Sequence, residues 1–369
     1  MMAGPTDRDE TTVEQRGGQP AGSQVLMADG TWKAIQQVAV GDLVLSPQPD
    51  DTVLVATVAA ASQRTNHPVY RVETMGKSLR SYRCSGDQIL PVLVWQTHRQ
   101  QGRRPGRREL RELSVQALLT RGSVFQRRAQ IFSMPAIELP DADLPVHPYV
   151  VGVLLGNGCL LPRGTRHRVE VAMRRRITFT RMRRCGAQLG QMRYRHGAYQ
   201  ASVVGAYNGL VTQQPYYGEG SHTKFVPEVY KRASLEQRRW LLAGLIDSDG
   251  NAHMFSSTSR QLVEDFVDLI HSIGGWASLR VLITPYKDKT CTMHLVCFAT
   301  AVVSIPAQIG YKRRSPRHAR ARHPCRHTFR LKPDGLADVY GFTLASPSSW
   351  HITDNWQVTC AADNHAQGT

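Results

Sequence analysis

The sequence predicts an α+β protein: a β-rich domain assembled from both ends of the chain and interrupted by a mixed helical and extended insertion with two related halves. Three observations carry this expectation. At 369 residues the chain is long enough for two ordinary domains, each with its own core. Short apolar runs punctuated by Gly, Pro, Asp and Asn fill Gly22 to Trp95 and return in "ADVYGFTLASPSSWHITDNWQVT" near the C-terminus. Between them, "YVVGVLLGNGCL" (149–160) and "LLAGLIDSDGNA" (241–252) repeat one form at an offset of 92 residues. The repeat pairs Gly152 with Gly244, Gly156 with Ser248, Asn157 with Asp249 and Gly158 with Gly250.

In chain order, residues 1–17 are polar and partly acidic, a disordered lead-in rather than a secretory signal. "SQVLMADG", "DLVLSP", "VLVATVAAA", "VYRVET" and "ILPVLVW" read as separate short strands. An arginine-rich loop at 99–108 and the stretch to Pro145 lead the chain out of this region, with "LPDADLP" as linker. Ser234 and Gln237 have capping-box spacing, which starts a helix near Leu235. "SRQLVEDFVDLIHSIGG" has helical apolar spacing and stops at Gly274.

The formal net charge is +17, and it is clustered. Residues 163–195 hold eleven Arg against Glu170 alone, 312–330 hold eight basic residues and no acid, and 99–111 hold six Arg. A solvated basic face is one reading; nucleic acid is the leading partner, since the arginine fork suits phosphate and guanine edges. The seven cysteines are odd in number and form no CxxC pair, which argues for a reducing, intracellular compartment and against a disulfide framework. "HARARHPCRH" gathers His318, His323, Cys325 and His327, but their spacing matches no standard zinc pattern. No run of about 18 apolar residues is present, so no membrane span is expected.

In each repeat small residues stand four apart, so they share a helix face and let two backbones approach closely. Packing the copies together brings positions 157 and 249 side by side at the helix ends. For one helix alone, the preferred reading is that Asp247 and Asp249 decorate a solvated end with Gly250 as an αL stop. Two copies on a basic chain favour a divalent cation, because acids at a helix C-terminus oppose its dipole. Carboxylate-held Mg²⁺ or Mn²⁺ is suited to phosphodiester hydrolysis, and two pseudo-symmetric sites would act on two strands.

These motifs together resemble a LAGLIDADG (DOD-type) homing endonuclease set inside an intein (Hint) framework, of the kind found in the vacuolar ATPase intein and the yeast mating-type-switching endonuclease. "GSQVLMADGTWKAIQQVAVGDLVL" and "SYRCSGDQILPVLV" are similar to the first two intein blocks, and "VYGFTLASPSSWHITDNWQVT" to the block before the splice junction. "TKFVPEVY" is similar to the block ahead of the second dodecapeptide. The resemblance implies a discontinuous all-β Hint domain (18–140 and 325–361) and an inserted endonuclease (141–324) of two αββαββα repeats, about 146–223 and 224–312, with a tail at 362–369. It also implies a monomer on a long site in double-stranded DNA, nuclear in a eukaryotic host. Asp249 and Asn157 would then be the paired catalytic positions, with Lys224 assisting and the backbone carbonyls of Gly156 and Ser248 completing the metal shell. Arg174, Arg175, Arg176, Arg181, Arg183 and Arg184 are candidates for the DNA-facing saddle by location.

The chain departs from that pattern where chemistry is concentrated. The splicing nucleophile falls on Gly18, the Thr and His of the second block on Ser85 and Gln88, and the terminal His-Asn on Cys360 and Ala361. Glycine has no nucleophile and glutamine cannot shuttle a proton, so splicing is not expected and the chain reads as free-standing. Asn157 replaces one catalytic acid. This leaves an endonuclease of reduced or strand-biased activity as the reading, with a nicking or silent DNA-binding relic, or residual Hint autoprocessing, as alternatives.

Overall fold

The computed structural model describes residues 17–75, 80–96, 107–133, 135–162, 167–286, 289–300, 304–307 and 326–362. The lead-in, most of the tail, and His318, His323 and Cys325 lie outside the described residues. Strands β1 (Gln19–Pro20), β2 (Gln24–Leu26), β3 (Trp32–Ala34), β4 (Leu43–Pro47), β5 (Val53–Thr74), β6 (Ser81–Ser85), β7 (Ile89–Gln96) and β8 (Arg107–Ser114) come first. Helices α1 (Val115–Thr120) and α2 (Gly122–Arg128) and strand β9 (Gln130–Phe132) follow. The insertion contributes α3 (Pro148–Asn157), β10 (Gly158–Cys159), β11 (Glu170–Met173), α4 (Arg176–Arg184), β12 (Arg193–Arg195), β13 (Ala198–Ser202) and α5 (Gly205–Thr212). It continues with α6 (Glu228–Lys231), α7 (Leu235–Asp249), β14 (Met254–Ser257), α8 (Arg260–Ser272), β15 (Trp276–Tyr286) and β16 (Lys289–Ala299). Strands β17 (Arg326–Ala345), β18 (Trp350–Thr353) and β19 (Gln357–Cys360) complete the order.

The β domain is built on one long antiparallel ribbon. β5 pairs with β17 from Thr74↔Phe329 to Thr57↔Ala345, which joins the two ends of the chain into one unit. "VLVATVAAA" and "VYRVET", expected as two strands, are one strand of 22 residues. The residues that read as a turn between them are absorbed as irregularities: Asn66 has φ 55° on β5, Gly335 has φ 86° on β17, and the register shifts between Pro333 and Leu336. The wider sheet runs β4-β5-β17-β9-β7-β8, and a second runs β19-β18-β2-β3. β8 returns along β7, and β9 pairs with both β7 and β17, so the chain is still in this domain after residues 97–106, which lie outside the described residues.

The first half of the insertion follows the order α-β-β-α-β-β-α from α3 to α5, with a sheet β10-β11-β13-β12. In the second half β14-β16-β15 repeats the order β11-β13-β12, and Gly250 bridges Phe255 as β10 bridges β11. The sequence offset is thus a repeat in topology; residues 308–325, which follow this sheet, lie outside the described residues. One apolar core of α3, α7, α8 and both sheets spans the insertion. The fully buried Arg238 of α7 donates to the carbonyls of Ala233, Ser272 and Ile137, sewing the linker to α7 and α8. Burial pulls its pKa down to about 10, so it remains a cation at neutral pH. Among the described residues no helix is long and apolar enough to cross a membrane.

Candidate active site at two paired helix ends

The site rests on how closely α3 and α7 approach. α7 begins at the expected capping box, with the Ser234 side chain accepting from Gln237 N–H and the Gln237 side chain accepting from Ser234 N–H. A Cβ on Gly152 would stand 2.3 Å from the Leu241 carbonyl oxygen, and one on Gly244 2.2 Å from that of Tyr149. One turn on, a Cβ on Gly156 would stand 2.5 Å from Ser248 Cβ and 3.5 Å from Asp249 Oδ2. The small-residue faces therefore meet in the register the repeat suggests. Gly158 and Gly250 end the helices with φ −84° and −111°, not as αL stops. Space requires glycine there instead: a Cβ would lie 2.5 Å from Leu154 O and 2.8 Å from Ile246 Cα.

The two acids of α7 have different surroundings. Asp247 is buried and accepts from the Tyr149 hydroxyl at 2.9 Å, with Arg181 at 3.9 Å. Burial and the Asp247 charge raise the Tyr149 pKa, which keeps that donor protonated. Arg181 lies 4.8 Å over the Tyr149 ring and 4.4 Å over Trp240. It also donates to the Pro306 carbonyl. Arg181 is thus an internal cation rather than part of a DNA saddle, because a buried carboxylate requires a partner. Asp247 joins α7 to α3 and α4. Asp249, by contrast, is exposed at the end of α7.

On the other helix end, Asn157 is half-buried and its amide nitrogen donates to Met173 Sδ at 3.4 Å. Lys224 is buried, and its ammonium donates to the carbonyls of Leu154 and Gly156, each at 3.2 Å, and of Gly158 at 2.9 Å. It therefore caps the negative end of the α3 dipole. Its backbone is fixed from α8: the Ser259 hydroxyl, which caps that helix, donates to Lys224 O at 2.6 Å. Burial pulls the Lys224 pKa down to about 8, against the opposing pull of the Asp249 and Cys159 charges.

A divalent cation fits one of these ends and not the other. The α3 end already has the Lys224 ammonium on the carbonyls flanking position 157, and position 157 carries no charge. Gly156 O, expected as a metal ligand, is instead a lysine acceptor. The α7 end offers the Asp249 carboxylate beside the last-turn carbonyl of Ser248. No cluster of three or more His, Cys, Asp or Glu is found among the described residues. One carboxylate plus substrate phosphate is the usual complement for Mg²⁺, which keeps several waters.

Of the expected saddle arginines, Arg174, Arg175, Arg176, Arg183 and Arg184 are exposed, with Arg176 5.7 Å over the Tyr199 ring. A second basic group lies on the first sheet. Strand alternation puts Val171, Met173 and Ala201 in the core, so Arg168, Gln200, Arg193 and Arg195 share the opposite face of the first sheet. The missed signal was period-2 alternation in "MRYRHGAYQAS".

The positions that the resemblance assigns to splicing also converge. Gln88 accepts from Gly18 N–H at 2.8 Å and donates to Thr359 Oγ1 at 3.0 Å and to the Cys360 carbonyl. Ser85 N–H donates to Gly18 O at 2.8 Å, and Ala361 N–H bonds Ser349 O at 2.5 Å. Beside them Asp87 accepts from Gly17 N–H and from Arg64, which also donates to Gly17 O at 2.9 Å. Burial opposes the Asp87 charge, but Arg64 and the Gly17 amide outweigh it and hold the pKa down to about 2. Gly18, Thr359 and Cys360 are held together by the Gln88 amide, a side chain that neither attacks nor titrates.

No known family profile matches the chain. It is 26% identical over 258 residues, 66% of its length, to the replicative DNA helicase DnaB of Mycobacterium intracellulare, and spans 40% of that helicase. The sequence contains no G-x-x-x-x-G-K-[ST] phosphate loop: Gly76-Lys77-Ser78 has Arg71 where the first glycine is required.

Proposed function

We propose that this chain is an intein-derived, metal-dependent DNA endonuclease of the LAGLIDADG class that cuts one strand of a duplex in preference to the other, within a Hint framework that no longer splices. The observation that carries the reading is the backbone-to-backbone contact of α3 and α7, which sets Asp249 and the Asn157–Lys224 pair at adjacent helix ends. Mg²⁺ or Mn²⁺ held at Asp249 would supply polarisation of the phosphate and activation of water. Asp249 supplies the charge for that ion, and the Lys224 ammonium neutralises charge where the first repeat has no acid. Two repeats in one chain provide the pseudo-twofold frame for a duplex, so a monomer suffices.

Two further facts support this setting. An intein lies within a longer host protein, and a likeness that spans 40% of a replicative helicase agrees with such an insertion in that relative. The junction residues around Gln88 are together but lack a nucleophile at Gly18, which supports a framework that persists after its chemistry is lost.

The test is cleavage of supercoiled plasmids carrying fragments of the host locus, with Mg²⁺ or Mn²⁺. Open circles are expected to accumulate ahead of linear product, and Asp249→Asn to slow nicking by about 100-fold or more. Absence of any cut or nick by wild type and by Asn157→Asp removes the reading. DNA retention that falls steeply with salt, with products indifferent to Asp249, leaves a silent binding relic.

A further inference from the structure

The two halves of the insertion end their sheets differently. The outer strand of the first sheet is β12, and that of the second is β15. β12 has three residues, Arg193-Tyr194-Arg195, and two like charges on so short an edge oppose the addition of another strand. β15 has eleven residues, and among the described residues it pairs with β16 alone. On its helix side Ala277 is buried in the core with Phe266 and Leu269 of α8. Leu279, Val281 and Ile283 follow on that same side by strand alternation and are 39%, 58% and 75% exposed, so the strand leaves the core progressively. On the other side Ser278 is buried and Leu282 is exposed. From Leu279 to Thr284 the sequence carries one charge, Arg280, and Pro285 then ends the run because it has no N–H for a ladder.

We propose that the free edge of β15 is the docking surface for a second copy of this chain, paired antiparallel about a twofold axis through Val281. Leu279 of each copy then faces Ile283 of the other, so the apolar helix-side rows meet along their whole length. Arg280 falls opposite Leu282 of the second copy rather than opposite its own mate, so the pairing sets no like charges directly against each other. The strand is thus complementary to itself, which is what a twofold contact requires of one surface patch. A long apolar edge is also the kind that natural sheets otherwise cover or charge. Pairing removes on the order of 1,000 Å² from water in total, the lower bound for a specific interface, so the dimer is weak and forms with rising concentration. The proposal goes beyond the nuclease reading and does not depend on it. One chain suffices for a duplex, whereas this contact joins two candidate sites in one particle.

The experiment is sedimentation equilibrium of the full chain across the micromolar range, without DNA and in salt high enough to screen the basic surface. Wild type should pass from monomer to dimer as concentration rises. Val281→Lys and Val281→Glu should each weaken association by about 10-fold or more, because two like charges meet on the axis. An equimolar mixture of the two should restore the dimer, an outcome that requires both variants to be folded. Val40→Lys, at a site 66% exposed in the β domain, should leave association unchanged. Wild type that stays monomeric throughout overturns the proposal, as does a dimer that persists in both Val281 variants. A mixture that remains monomeric although each variant keeps the wild-type circular dichroism overturns it as well. None of these failures touches the DNA reading, since no duplex enters the measurement.

Discussion

The contact between α3 and α7 makes a quantitative prediction for Gly152→Ala and Gly244→Ala. In an open helix, Gly→Ala gains about 1 kcal/mol of helix propensity. Here the added Cβ would lie 2.3 Å and 2.2 Å from backbone oxygens, against a floor of 3.0 Å, so the helices must part by at least 3.0 − 2.3 = 0.7 Å. Because the obstacle is backbone on both sides, no side chain can swing aside, and overpacking of this kind costs about 1–3 kcal/mol or more. We expect a net loss of about 2 kcal/mol for each variant. The double variant should lose less than the sum, since each glycine's Cβ would meet the other's Cα at 2.9 Å and one separation relieves both. Urea unfolding followed by circular dichroism gives the midpoints. Gly209→Ala in α5, where a Cβ would meet nothing within 4 Å, is the internal control and should raise the midpoint. A Gly152→Ala midpoint that rises with that control would refute close backbone packing as the basis of the site.

Two further outcomes follow from charge and from the junction. Lys224 has a folded pKa of about 8, below its ordinary 10.5, so the unfolded chain holds its proton more tightly between those values. The resulting penalty, roughly 3 kcal/mol, is full below pH 8 and disappears by pH 10.5, so wild type should gain stability relative to Lys224→Met across that window; a flat difference contradicts a buried ammonium. Expression between two flanking tags should give one uncleaved mass, because Gly18 has nothing to attack with; release of either tag would show that the chain processes itself.

How much of this was legible in the sequence depends on whether the signal is local. The start of α7 at Ser234, the stop of α8 near Gly274 and the facing of Gly152 on Gly244 all follow from short-range spacing, and they stand where the residues put them. The roles of Gly158 and Gly250 were readable only as helix ends. Their actual constraint, contact with the preceding turn, needs the backbone in three dimensions. Arg181 and Arg238 look like any other arginines in a basic chain, and only tertiary packing shows that one pairs with Asp247 and the other ties the linker. Asn66, His67 and Pro68 mark a turn in an isolated segment and so divide β5 into two expected strands, whereas pairing with β17 absorbs them as bulges.

The source of positive charge separates the two halves of the site, and it determines what Asn157→Asp can restore. The Lys224 ammonium bonds the carbonyls on both sides of position 157, so a new carboxylate there enters the field of an existing cation. That carboxylate favours the charged lysine and raises its pKa from about 8, and a divalent ion must then compete with a fixed monovalent one. Under the proposed nuclease function, linear plasmid should therefore appear with Asn157→Asp but lag behind the nick expected at Asp249, and the lag should shorten as pH rises and the lysine loses its proton. Linear and nicked products formed at equal rates at pH 7 would mean that Lys224 does not stand in for a metal at that end. The proposed strand bias would then come from the amide at position 157 alone.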